Sequence, residues 1–527
     1  MQATPDSADP PDDDCDLLVV GGGVNGAGIA RDAVGRGLRV VLCEKDDLAS
    51  HTSSAATKLI HGGLRYLEHY EFSLVRKALA EREVLLRNAP HIIRPLRFVM
   101  PHDPSMRPAW MIRAGLFLYD HLSRREVLPG STRIRLDRHP AGEPLQPRFA
   151  QGFVYSDGWV DDARLVVLNA RDAADRGARI LTGTFCERAT RGATHWRATL
   201  RGPDGRRHAL RARALVNAAG PWAAGFLRQQ VGQAGQRGLR LIKGSHIVVP
   251  RLFDHPMAYI FQNTDQRIVF AIPYEQRFTL IGTTDVEAHG DPGAARIDDD
   301  EVRYLCKLSN RYFRRIIGPQ DVVWSFSGVR PLLDDASGDP SAVTRDYALE
   351  LDDRGAPLLT VWGGKLTTYR KLAEDAIDML APALDRRAPA WTYRAPLTGG
   401  DLAARLGPTA VRRPDEAFTA FERAVIAQYA WLPEPMVRRM AHAYGTQIDA
   451  ALGRARDPAG LGEAVAPGLY EAELEHLASR EWARSGDDVL WRRTKLGLHL
   501  DAPQRERVAE WMARRVPDIE RGECDAA

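Results

Sequence analysis

The stretch from Asp16 to Glu44 leaves this chain little choice about how it begins to fold. Asp16-Leu-Leu-Val-Val20 is a short apolar run of the kind that makes a strand buried on both faces. It passes directly into Gly21-Gly-Gly-Val-Asn-Gly26, then into a helical pattern over 27–36, and a second apolar run over 38–43 ends at Glu44. Strand, glycine turn, helix and strand in that order predict a β–α–β unit with a dinucleotide-binding turn. Gly21 permits the tight turn, Gly23 lets the backbone approach a pyrophosphate, and Gly26 lets the helix pack closely on the strand. The helix N-terminus offers N–H groups and the positive end of its dipole to phosphate. Glu44 is placed to accept hydrogen bonds from ribose hydroxyls.

Such a unit serves NAD and FAD alike, and two later segments separate them. Ala214-Leu-Val-Asn-Ala-Ala-Gly220 is another buried strand ending in small residues, and Leu358-Leu-Thr-Val-Trp-Gly-Gly364 repeats that form before a helix begins near Lys365. FAD spans a longer path than one β–α–β unit covers, so distant segments meeting the cofactor favour FAD. Residues 267–273 and 278–282 are strands joined by a short turn, which points to an antiparallel sheet roofing the flavin. After residue 400 the pattern becomes helical and charge-rich. The expected fold class is α/β (α+β overall), with a Rossmann-like FAD-binding domain (16–90, 150–236 and 326–398), an antiparallel-sheet substrate domain (91–149 and 237–325) and a C-terminal helical domain (400–527). Residues 1–15 are expected to be a disordered acidic tail.

Composition excludes several alternatives. A net charge of +3 over 527 residues gives no basis for nucleic-acid binding. The five cysteines are scattered with no CxxC pair, which argues against a disulfide framework or a zinc site, and no metal is expected. The Asp- and Pro-rich start is unlike a signal peptide. No apolar run approaches the roughly 18–20 residues that span a bilayer. The nearest, 109–119, is interrupted by Arg113, so any membrane contact is expected to be peripheral, through an amphipathic helix at 107–119 with arginines at its rim. The same segment serves equally as a core or dimer-interface helix. Only eight of the 72 basic residues are lysine, and three of them, Lys58, Lys243 and Lys365, lie in small-residue segments.

Several longer motifs stand in a fixed order: Val20-Gly-Gly-Gly-Val-Asn-Gly-Ala-Gly-Ile-Ala-Arg-Asp32, Lys58-Leu-Ile-His-Gly-Gly-Leu-Arg-Tyr66, Lys243-Gly-Ser-His246, Gly282-Thr-Thr-Asp285, Ser327-Gly-Val-Arg-Pro331 and Gly363-Gly-Lys-Leu-Thr-Thr-Tyr-Arg-Lys-Leu-Ala373. With these the chain resembles the FAD-dependent, respiratory glycerol-3-phosphate dehydrogenases from about residue 16 to residue 399. The resemblance implies oxidation of sn-glycerol 3-phosphate to dihydroxyacetone phosphate, with electrons passed to ubiquinone or menaquinone. It also implies a homodimer, held peripherally on the inner face of the cytoplasmic membrane. For FAD it implicates Gly21, Gly23, Asn25, Gly26, Glu44, Thr57, Lys58, Leu59, His61, Gly62, Ala219, Gly220, Gly363, Gly364, Leu366 and Thr367.

A phosphorylated secondary alcohol needs cationic donors at one end and a base at the other. The resemblance assigns the phosphate to Arg65, Tyr66, Arg345 and Lys365. Lys365 also stands at a helix start, where the dipole disfavours a cation unless an anion lies beside it. A neutral histidine suits removal of the hydroxyl proton. His246 is the first choice and His61 the competitor, with Thr284 and Arg330 positioning the hydroxyl and stabilising alkoxide charge. An oxidase of the same fold that reduces oxygen, an amine oxidase of related architecture and a flavin-binding module without this activity remain open alternatives.

Overall fold

The computed structural model describes residues 13–103, 107–233, 237–263, 267–333, 346–386, 388–407 and 413–521. Strand β1 (Asp13–Val20), helix α1 (Val24–Gly35) and strand β2 (Val40–Cys43) form the expected opening unit. They sit in a sheet whose order is Ala348–Asp352, Leu358–Trp362, Arg207–Asn217, β1, β2, Arg179–Leu181. All pairings in that row are parallel except the one at the Ala348–Asp352 edge. Leu17, Leu18 and Val19 are fully buried, which is why β1 reads as a continuous apolar run. One face packs on α1, Asp162–Asp175 and Tyr369–Leu380, and the other on a core that contains Trp196 and Trp362.

Two boundaries differ from expectation. β1 begins at Asp13, because Asp13–Cys15 pair in register with the long strand Arg207–Asn217 and Arg211 bridges Asp14 at 2.5 Å. The expected tail is therefore shorter than 1–15, and residues 1–12 lie outside the described residues. α1 begins at Val24 rather than Ala27, since Ser53 Oγ accepts from Val24 N at 3.0 Å and caps the helix from a distant loop.

The second sheet runs Val286–Glu287, Leu239–Pro250, Phe278–Gly282, Ile268–Tyr274, Ala258–Gln262, Ile93–Pro101, Gln151–Val160, Leu59–Ile60, with Trp324–Leu333 added beside Leu239–Pro250. It is antiparallel except where Ala258–Gln262 meets Ile93–Pro101. Gln151–Val160, Trp324–Leu333 and Leu59–Ile60 thus belong to this sheet, a correction to the expected segments 150–236, 326–398 and 16–90. Gln151–Val160 is buried on both faces apart from its first residue, so its apolarity shows burial without showing which sheet it joins.

From Pro414 onward, helices Pro414–Gln428, Glu434–Tyr444, Glu471–Glu481 and Ala502–Arg521 enclose Phe421, Met440, Leu474, Leu477 and Val508. This unit is joined by buried charge to the helix Asp162–Asp175, which packs on the first sheet. Arg164 donates to both oxygens of Glu481 and to Ala443 O at 2.7 Å, and Lys495 meets Asp161 at 3.1 Å. Burial opposes ionisation of Glu481, but Arg164 and His476 outweigh it and hold the carboxyl far below the usual range. A depressed folded-state pKa contributes stability above the unfolded value and loses it as pH falls. Arg164→Ala should therefore cost about 3–5 kcal/mol near neutrality by stranding a buried carboxylate. The penalty should shrink as pH drops below about 4, where Glu481 is protonated in the unfolded chain. Urea unfolding of wild type and variant at pH 7 and about pH 3 measures both; an equal loss at the two pH values would refute the assignment.

Candidate active site

A cavity of about 490 Å³ runs from the Gly21 turn to the face of the second sheet. Its first half is backbone and small side chains. Gly21 has φ of +114°, and a Cβ there would lie 2.5 Å from Ala218 O, so only glycine permits the close approach. A Cβ on Gly26 would lie 1.9 Å from Gly21 O. Gly26 therefore serves helix packing and does not line the cavity. Glu44 holds the turn: one carboxylate oxygen accepts from Gly22 N at 2.7 Å and the other from Asp46 N at 2.9 Å. Burial pushes Glu44 up, against the pull of those two amides.

Asn25 joins this turn to the second glycine turn. Its Nδ2 donates to Gly363 O at 3.2 Å, and Gly363 and Gly364 have φ of +73° and +103°. Its Oδ1 is buried without a hydrogen-bond partner among the described residues, as is Ser50 Oγ, and both residues line the cavity. Gly23, Ala219, Gly220, Leu366 and Thr367 complete this wall. Two orphaned acceptors, a helix N-terminus and glycines open to the cavity form a donor and acceptor set that fits a dinucleotide.

The far half is chemical. Thr57, Leu59, His61, Tyr66, Arg330 and Lys365 line it. The Lys365 ammonium lies 3.9 Å from the centroid of the Tyr66 ring. Arg330 is held by Asp285 and by Thr283 Oγ1, the latter at 2.8 Å. His246 stands directly behind the wall. Its Nε2 is 3.0 Å from Thr57 Oγ1, its ring stacks on Phe326 at 4.8 Å, and a Cβ on Gly282 would collide with it at 2.1 Å. Burial, then the charges of Arg330 and Lys58, hold the imidazole well below its ordinary pKa. It is neutral at physiological pH.

Several expected residues lie elsewhere. Thr284 is buried and turned away, donating to Glu301 Oε1 at 2.6 Å and accepting from Ser245 N; its neighbour Thr283 faces the cavity. Lys58 is fully buried in an ion pair with Asp162 at 2.7 Å. Gly62 donates to Tyr119 Oη at 2.8 Å and packs against Leu79, so it is a packing glycine. Arg65 is on the turn Leu64–His69, outside the cavity wall. Arg345 lies outside the described residues. The sequence reading missed Ser50, Ser53, Phe270 and Thr283. The small polar run 50–54 is the signal that marks the two serines, whereas choosing between Thr283 and Thr284, in the loop after Phe278–Gly282, requires the folded backbone.

An oxidoreductase that carries FAD is the class this cradle and two-sheet cavity define, and residues 16–370 match the family model for FAD dependent oxidoreductases. Residues 390–517 match the C-terminal domain of alpha-glycerophosphate oxidase. The glycerol-3-phosphate dehydrogenase of Pseudomonas aeruginosa is 52% identical over 504 residues, which is 95% of this chain and 96% of the relative. The aerobic glycerol-3-phosphate dehydrogenase of Escherichia coli is 50% identical over 500 residues, 94% and 97% of the two chains. The D-erythritol 1-phosphate dehydrogenase of Brucella abortus is 48% identical over 499 residues, again 94% and 97%. The solved glycerol-3-phosphate dehydrogenase of Bacillus halodurans complexed with FAD superposes with a TM-score of 0.76 at 27% identity, covering 96% of this chain and 91% of that one. The chain belongs to the FAD-dependent glycerol-3-phosphate dehydrogenase family, and its cofactor is FAD.

Asn25→Ala removes both the staple between the glycine turns and an orphaned acceptor. FAD affinity should fall by about tenfold or more. The ratio of flavin absorbance to protein absorbance after gel filtration measures it, and an undiminished ratio would remove Asn25 from the cradle.

Proposed function

We propose that this enzyme oxidises sn-glycerol 3-phosphate to dihydroxyacetone phosphate and passes the electrons to a membrane quinone. The observation that carries the reading is the meeting, at one end of the cavity, of the Lys365 ammonium, the Arg330 guanidinium and the Thr57–His246 pair. FAD, when bound, supplies an acceptor for the hydride leaving C2. Lys365 binds the phosphate as a fixed cation, with Tyr66 holding the ammonium in place. Arg65 and Arg345 remain proposed contributors on the strength of the family resemblance. Arg330, fixed by Asp285 and Thr283, stabilises alkoxide charge at the C2 oxygen. The hydroxyl proton passes to Thr57 Oγ1 as the threonine's own proton moves to His246 Nε2, so the buried imidazole acts as base through one hydroxyl.

Anaerobic addition of glycerol 3-phosphate should bleach the flavin band, and glycerol or glycerol 1-phosphate should not. D-erythritol 1-phosphate is the informative competitor, given the relative named for it. Faster bleaching by that compound would replace the substrate, and fast reoxidation by oxygen with none by quinone would replace the acceptor. Lys365→Ala should raise KM by about tenfold or more with FAD retained. His246→Ala should slow flavin reduction by about a hundredfold or more. Because the folded His246 pKa is depressed, the wild-type reduction rate should stay level from pH 8 to about 6. A loss of rate centred near 6.5 would oppose the assignment.

No helix among the described residues is long and apolar enough to cross a membrane. Peripheral attachment is supported by Ala109–His121, which leaves Trp110 70% and Phe117 57% exposed, close in sequence to the exposed Met111 and Leu118. Trp110→Glu with Phe117→Glu should abolish co-sedimentation with anionic lipid vesicles while flavin bleaching persists. Unchanged co-sedimentation would exclude this face. A quinone acceptor, a cytoplasmic-face location and a homodimer rest on the family resemblance.

A further inference from the structure

A second cavity, of about 640 Å³, opens between the second sheet and the C-terminal helices. Arg94 and Trp159 contribute from the sheet, Glu275 from the turn between two of its strands, and Arg438, Arg439 and Lys495 from the C-terminal unit. None of these residues lines the flavin cavity.

Most of the cations here are already engaged. Arg438 pairs with Glu422 and Glu434, Arg439 holds Glu473 through two hydrogen bonds of 2.7 Å, and Lys495 meets Asp161 at 3.1 Å. Arg493 is likewise bound by Asp47. Arg94 is different. Its guanidinium carbon lies 4.1 Å from the Trp159 ring centroid, and the group makes no hydrogen bond or ion pair with any other described residue. A guanidinium held over a ring in this way keeps N–H donors for a further acceptor. The side chain is accessible to solvent.

The neighbouring acid does not fill this role. Glu275 forms no ion pair among the described residues, and burial and Asp161 push it up to about 7. Near neutrality it carries a proton for much of the time and can donate to an oxyanion rather than repel it.

We propose that this cavity binds a small organic oxyanion, a carboxylate or a phosphate monoester, with Arg94 as its bidentate anchor. The volume is that of a small-molecule site. Its position gives it a route to the flavin cavity. Arg94 stands opposite Trp159 in the strand register, and Trp159 stands opposite Leu59, which lines that cavity. An occupant would therefore sit two strand pairings from the flavin cavity.

The test is calorimetric titration of the FAD-loaded full-length enzyme with malonate and, separately, with inorganic phosphate. Wild type, Arg94→Gln and Lys365→Ala are compared. Wild type and Lys365→Ala should bind alike, and Arg94→Gln at least about tenfold more weakly. Arg94→Gln should keep its anion-free turnover. Preference for malonate identifies a carboxylate site, and preference for phosphate a phosphate site. Absence of binding by both probes, equal affinity in Arg94→Gln, or loss in Lys365→Ala alone would overturn the proposal. Should Arg94→Gln fail to fold, crystals of the wild type soaked in selenate decide: an anomalous peak beside Arg94 supports the site, and peaks only elsewhere refute it. Flavin bleaching by glycerol 3-phosphate does not depend on any of these outcomes.

Discussion

The buried pair between Lys58 and Asp162 is the interaction to which both halves of the flavin cavity are referred. Lys58 Nζ donates to Asp162 Oδ1 at 2.7 Å and to Ser54 O at 3.2 Å, and Asp162 also accepts from Ala56 N at 3.1 Å. One ion pair thereby fixes the loop from Thr52 to Thr57 against the first turn of Asp162–Asp175. From that loop Ser53 caps α1 at the cofactor end, and Thr57 meets His246 at the chemical end. Desolvating two charges is expensive, so such a pair is weak evidence of stability, but losing either partner leaves the other uncompensated. Its consequence is geometric: the loop has one well-defined position, and the cradle and the base take theirs from it.

That arrangement explains which parts of the site were legible in the sequence. The Gly21 turn was readable because its task is local: a tight bend, a close approach and a helix start all fall within a few residues. Lys58 stood out as a lysine in a small-residue segment, yet its partner lies more than a hundred residues away and only the fold shows that it faces inward. Thr283 and Thr284 are adjacent and chemically equivalent, and they lie in the loop between Phe278–Gly282 and Val286–Glu287, where the folded path of the backbone decides which one faces the cavity. Gln151–Val160 posed the same difficulty on a larger scale. Its buried pattern was plain, but pairing with Ile93–Pro101 rather than with the parallel sheet is a tertiary choice. The helical character beyond residue 400 was visible from spacing alone, whereas the charges joining it to the helix Asp162–Asp175 required partners brought together by folding.

The electrostatics of the chemical end divide into two kinds of cation. Arg330 is neutralised by Asp285, and its fork is directed by Thr283. Lys365 is held over the face of the Tyr66 ring, which fixes the position of its ammonium. A dianionic substrate group is better matched by the second arrangement, and a transient single charge on an alkoxide by the first. Burial, with the charges of Arg330 and Lys58, keeps His246 deprotonated and therefore competent to accept a proton.

The C-terminal unit bears on this site as well. Asp47, in the loop that follows β2, accepts from both Arg492 and Arg493, and that loop continues to Ala49 and Ser50 in the flavin cavity wall. On the other side, His246 stacks on Phe326, Phe326 contacts Trp324 at 5.0 Å, and Trp324 stacks on Trp491 at 4.7 Å. Close-packed aromatic rings transmit displacement because no void absorbs it. The cofactor cradle is thus tied to the C-terminal unit by ion pairs, and the base by a row of rings. A helical unit none of whose described residues lines the flavin cavity nevertheless fixes residues at both of its ends.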